Sequence, residues 1–243
     1  MIDYRKATFR QTNRAYDDGL RKYFLKIYQL MCGALAVNAI SAFAVLSIHA
    51  LTNLMFNMEM GYVTDITPLS WFIGLAPLGI SLYFAFGYNR ITYANPQILF
   101  WVFATLMGMS LSSLGFMYTG ASITKTFFIC YSMFAGMILY GYSTEKDLTS
   151  MGSFLCMGLI SLIIASLVNL IPQSPAIEFA LSFIGFGIFT GLIAYDTQKL
   201  KALYYQGAHT NSKIGIMAAF RLYLDFINLF IYQLRFFGVR RND

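Results

Sequence analysis

Seven stretches of about 20 mostly apolar residues recur along this chain. As helices, each would be long enough, or nearly so, to cross the ~30 Å hydrocarbon core of a bilayer. They run from about Tyr23 to Ile48, Pro68 to Tyr88, Ile98 to Tyr118, Ile123 to Tyr142, Met151 to Ile171, Pro175 past Asp196 to Tyr204, and Ile214 to Val239. A soluble domain carries roughly 25% charged residues, whereas this chain is 12% charged and 58% hydrophobic. It lacks the polar surface to cover itself in water. The expectation is an all-α polytopic membrane protein, with seven transmembrane helices forming one domain over residues 23–243.

The punctuation between the stretches agrees. TPLS and PQSP place prolines where a helix can begin but not continue, and NRITYANPQ and YTGASITK are short and polar. Every connection is brief except residues 49–67, so consecutive helices are expected to be antiparallel neighbours. Gly187 and Gly191 form a GxxxG pair on the sixth helix. At 100° per residue they lie roughly 140–180° around from Asp196, so one face can pack closely while the other presents the carboxylate.

The formal charge of +6 does not point to nucleic acid, because the cations gather at the tail and loops as the positive-inside rule expects. Residues 1–22 hold Arg5, Lys6, Arg10, Arg14, Arg21 and Lys22. This polar stretch has no h-region or cleavage site and reads as a cytoplasmic tail, not a signal peptide. With the N-terminus inside, inside loops carry Arg90, Lys146, Lys199, Lys201 and Lys213, while outside loops carry only Lys125 before the C-terminus. Arg235, Arg240 and Arg241 fall outside if the seventh segment crosses fully, and a re-entrant segment would return them. Full crossing is preferred because Ile214–Val239 is ample in length.

Cys32, Cys130 and Cys156 lie in apolar stretches without metal-ligand spacing, and His49 and His209 are separate and loop-like. The cysteines read as small buried hydrophobes; neither disulfides nor a resident metal or cofactor is implied. There is no GxSxG, HExxH, Walker A loop or CxxC, so catalysis has no support. Glu145, Lys146 and Asp147 read as a solvated turn, with Asp147 placed to cap the fifth helix. Trp71 and Trp101, near span ends, fit aromatic belts.

Two aspartates stand out against this background. Asp225 falls near the middle of the last span, whose only other charges are Arg221 and Arg235. A carboxylate there costs at least ~2.5–3.5 kcal/mol on insertion scales and should face a partner or a wet cavity. Arg221 lies one turn earlier, so the two can form a structural ion pair; alternatively Asp225 is a titratable or cation-binding group, with Asn228 adding an amide nearby. Asp196 closes the preceding run. Alone it reads equally as the start of a solvated helix end, but a short linker lets it meet Asp225 at similar depth. Two close carboxylates cannot both ionise cheaply. They can share a proton or bind a hard cation through oxygen, and either property would make a gate pH-sensitive. Arg90, at the inner end of the second span, is either a counter-charge reaching that depth or a simple interfacial anchor.

The segments YGYSTEKDLTSMGSFL (140–155), FIGFGIFTGLIAYDTQKLK (183–201) and LYLDFINLFIYQLRFFG (222–238), with DGLRKYFLKIYQLM (18–31), resemble the Bax inhibitor-1, or transmembrane Bax-inhibitor-motif, family and its bacterial branch in particular. The resemblance implies a seven-helix protein of the bacterial inner membrane whose central last helix is wrapped by the others. It further implies a pH-sensitive calcium leak with a di-aspartyl sensor between the sixth and seventh helices. Asp196 in AYDTQ and Asp225 in LYLDFINLF match the sensor positions. Arg90 is the nearest candidate for an arginine latch at the inner end of the second helix, although NRIT is a poor anchor for the match. Arg221 departs from the pattern and would either hold Asp225 ionised or supply a different latch. The implied partners are the lipid bilayer, Ca²⁺ and H⁺. A non-conducting role, modulating partners such as a membrane protease or stress machinery, is the alternative, and a proton-coupled antiporter a third.

Overall fold

The computed structural model describes residues 4–59, 62–86, 96–206 and 212–241, so Arg90 and His209 lie outside the described residues. Among the described residues, the regular structure is helical apart from one short ribbon. Helix α1 covers Tyr4–Ser47 and is followed by α2 (His49–Met55), strands β1 (Phe56–Glu59) and β2 (Tyr62–Ile66), and α3 (Pro68–Phe86). Helices α4 (Pro96–Leu111), α5 (Ser113–Met117), α6 (Gly120–Ser143), α7 (Thr149–Asn169), α8 (Pro175–Tyr205) and α9 (Ser212–Phe237) complete it.

Six helical segments among the described residues are long and apolar enough to span a membrane: Asp18–Ser47 of α1, Pro96–Met117 through α4 and α5, α6, α7, α8 and Lys213–Phe237 of α9. The second stretch read from the sequence, Pro68–Tyr88, is the short one, with an apolar helical part of Pro68–Phe84. The ends follow local chemistry. Thr119 caps α6 by accepting the Ser122 N–H at 3.3 Å. Pro175 opens α8 at a position where its missing donor costs nothing. Helix α9 stops at Gly238, whose N–H returns to the Leu234 carbonyl at 2.8 Å.

The one long connection is built, not loose. Strands β1 and β2 pair antiparallel with Phe56 opposite Ile66, and Met55 and Phe56 join Val45 and Ile73 in a small second core. Its brevity hid it in the sequence, where FNMEMGYVTDI carries no strong turn signal.

Close packing sets the helix order more than sequence adjacency does. Helix α1 lies on α4, α6 and α7 both lie on α8, and α9 touches α1, α4, α6 and α8. Glycines mark two of these contacts, because a Cβ on Gly108 would collide with the Asn38 backbone and one on Gly141 with the Ala194 backbone. Of the GxxxG pair, only Gly191 is used: a Cβ there would collide with the Leu155 side chain of α7, while one on Gly187 would meet open space. The apolar window of α9 is 56% buried, against 17–33% for the other spanning helices. Outward faces are apolar instead, as at Phe72, Phe154 and Ile171, which suits lipid and not water.

Helix α9 crosses the bundle completely. Past its end, the Arg241 N–H donates to the Met117 carbonyl at 2.9 Å and the Val239 N–H to Ser122 Oγ at 3.0 Å. Arg240 pairs with Glu178 at the start of α8 at 3.7 Å. Residues 239–241 therefore sit beside the starts of α6 and α8, at the far end of the bundle from the start of α9.

Candidate functional site

Helices α8 and α9 bring Asp196 and Asp225 together. Asp225 is only 6% exposed, among Leu222, Phe226 and Leu229 of its own helix, which are also buried. Its side chain is in hydrogen-bond contact with that of half-buried Asp196. An ionised carboxylate only accepts hydrogen bonds, so such a contact needs a proton on one of the two. Asp225 Oδ2 is buried with no hydrogen-bond partner. The two carboxyl groups thus stand side by side on α8 and α9, with one Asp225 oxygen left over.

Cations surround it unevenly. Arg221, exposed and one turn before Asp225 on α9, acts electrostatically on both carboxyls. Lys199 acts on Asp196 while its Nζ sits 5.6 Å over the Tyr195 ring. Lys199, counted in the sequence among the inside cations, stands at i+3 from Asp196, which puts both on one helix face. Asp196, Lys199 and Arg221 line a cavity of about 680 Å³ between α3, α7, α8 and α9, together with Ser81, Phe84 and Cys156. Asp196 therefore stands at the wall of this chamber, with Asp225 packed against it. Asn228 turns its amide to its own helix, donating to the Leu224 carbonyl at 2.8 Å.

The helices carrying the pair are anchored on both sides. Gln198, two residues past Asp196, accepts the Leu148 N–H at 2.8 Å and donates to the Lys146 carbonyl at 2.7 Å. Lys201 Nζ donates to the Tyr142 carbonyl at 2.8 Å. The α6–α7 turn is thus fastened to α8, and within it Asp147 accepts the Thr149 N–H at 2.9 Å. The hydroxyl and N–H of Thr149 hold the exposed Asp147 carboxyl below its ordinary range. On the far side, buried Asn38 of α1 donates to the phenol oxygen of Tyr223 at 2.6 Å. Asn38, Tyr223 and Gln233 are buried polar groups the sequence reading did not single out; a lone amide in an apolar span was the available signal for two of them.

Sequence comparison places the chain among known proteins. The profile of the family described as "Inhibitor of apoptosis-promoting Bax1" matches residues 20–242. An uncharacterized protein of Rickettsia prowazekii is 52% identical, with both chains covered completely. One from Caulobacter vibrioides is 40% identical over 95% of this chain and 94% of its own. The inner membrane protein YbhL of Escherichia coli K12 is 37% identical over 92% of this chain and 94% of its own.

Proposed function

The chain belongs to the Bax inhibitor-1 family, and from that membership and the acidic pair we propose that it is a pH-sensitive calcium leak of the bacterial inner membrane. In this reading α3 completes a set of seven membrane helices around a central α9, with the N-terminal residues 1–22 in the cytoplasm. YbhL is by name an inner membrane protein, which supports the location.

The observation that carries the proposal is the contact between Asp196 and Asp225, with Asp196 at the wall of the cavity. With a shared proton, the pair ties α8 to α9 and the path stays shut. When the proton leaves, two like charges in contact repel, the tie is lost, and the carboxylate oxygens become ligands for a hard cation such as Ca²⁺. Arg221 and Lys199 favour the ionised form of the pair and so the open path, while Arg90, the first latch candidate, lies outside the described residues. Flux should therefore rise from acidic to alkaline pH.

The test is Ca²⁺ uptake into liposomes containing the purified protein at pH 6 and 8, for wild type, Asp196→Asn and Asp225→Asn. Wild-type flux should be larger at pH 8, and both substitutions should flatten the difference. A folded wild type silent at both pH values would sink the leak and favour the partner-modulating role, whereas flux tracking an imposed pH gradient would favour an antiporter.

A further inference from the structure

The chamber bounded by α3, α7, α8 and α9 has a character that the acidic pair does not explain. Its volume of about 680 Å³ falls within the roughly 300–1,000 Å³ of a small-molecule site. Most of its wall is apolar, with Phe84, Leu159, Leu203 and Met217 among the lining residues. Set into that wall are two cations, half-buried Lys199 of α8 and exposed Arg221 of α9. Among the described residues neither makes a salt bridge. The Asp196 carboxyl beside them is in contact with that of Asp225, and Lys199 has the Tyr195 ring at 5.6 Å.

Depth makes this arrangement expensive. Arg221 lies eight residues past Lys213 on α9, about 12 Å along the helix axis. A guanidinium that far into a spanning helix needs water or an anion to meet it. The chamber is also placed to open sideways, because α3 packs on α4 whereas α7 packs on α8. Next in sequence to the lining residues Ser81, Cys156 and Leu159 stand Leu82, Met157 and Ile160, all apolar and outward-facing. An apolar chamber that gives onto lipid and holds two unpaired cations is complementary to an anion carrying a hydrocarbon chain.

We propose that this chamber binds a long-chain fatty acid, with its carboxylate between Arg221 and Lys199 and its chain passing between α3 and α7 toward the bilayer. The planar guanidinium matches a carboxylate through two parallel hydrogen bonds, and the Lys199 ammonium adds a second positive charge. Depth favours a single chain with a small head. A phospholipid would have to drag its whole headgroup below the interface to reach Arg221, whereas a carboxylate travels there on its own chain. The inference goes beyond the leak reading and concerns occupancy, not conduction.

The test uses the full-length protein in phosphatidylcholine nanodiscs with the fluorescent fatty acid cis-parinaric acid, read as saturable emission above that of empty discs of the same composition. Oleate should displace the probe, while methyl oleate, which has the chain without the charge, should not. Replacing part of the phosphatidylcholine by phosphatidylglycerol should leave the signal in place. Arg221→Gln and Lys199→Gln, with thermal midpoints measured alongside, should each weaken binding fivefold or more. No saturable emission from folded wild type overturns the proposal. So does displacement by methyl oleate, which would mean an apolar pocket only, or by phosphatidylglycerol, which would mean a phospholipid site. A folded Arg221→Gln variant that loses less than fivefold overturns it too, and if neither variant folds the methyl oleate comparison decides on wild type alone. None of these readouts involves Ca²⁺ flux, so failure here and failure of the leak reading are told apart.

Discussion

The Asn38 amide of α1 donates a 2.6 Å hydrogen bond to the Tyr223 hydroxyl of α9, with both side chains buried. It fixes the rotation of α9 from the side opposite α8, and so fixes the direction in which Asp225 points. Tyr223→Phe removes the acceptor and strands the Asn38 amide. The expected cost is about 1–3 kcal/mol, read as a lower thermal midpoint in detergent, with the pH profile of flux retained in the folded fraction. A midpoint equal to wild type would show that Asn38 finds another partner.

That bond also shows where sequence reading stops. The spanning helices were legible because lipid demands about 20 apolar residues whatever the packing, and Asp196 and Asp225 were legible because a carboxylate is costly there. Asn38 and Gln233 were not, since one neutral amide in an apolar run is tolerable and its partner sits far along the chain. Lys199 was visible as a cation near the end of the sixth helix, but its place at a cavity wall depends on which side chains α3, α7 and α9 bring beside it. The β1–β2 ribbon escaped because its own residues carry no strong signal, whereas Phe56 packs with Val45 of α1 and Ile73 of α3, far from it in sequence.

Gly141 predicts the tightest constraint on the site's geometry. A Cβ there meets the Ala194 backbone, two residues before Asp196, and a backbone obstacle cannot swing aside as a side chain can. Gly141→Val should cost about 1–3 kcal/mol or more by overpacking and push α6 off α8. The check is monodispersity and thermal midpoint after detergent extraction; a variant as stable as wild type would mean that the α6–α8 contact is looser than described.

Arg221 should set how readily the pair gives up its proton. A cation beside two carboxylates favours their ionised form, so Arg221→Gln makes the doubly ionised state harder to reach. Flux near pH 7 should fall a few-fold toward the acidic level, the scale of the ~0.2–1 kcal/mol typical of an exposed charge. Arg221→Lys should restore most of it. Unchanged flux in the Gln variant would leave Lys199 as the cation that matters.

The α6–α7 turn offers a prediction separable from conduction. Gln198→Ala removes both bonds that hold Leu148 and Lys146 to α8, at about 0.5–1.5 kcal/mol each, and should expose the turn to a protease added on its side of the membrane. Asp147 adds a pH signature. Its folded-state carboxyl titrates below the ordinary range because Thr149 donates to it, so its stabilisation is present above about pH 4 and fades as the pH falls through the lower folded value. Acidification below that range should therefore raise cleavage of the turn in wild type but not further in Asp147→Ala, which lacks the turn bond to Thr149 already. Equal acid sensitivity in the two would assign the effect to another group.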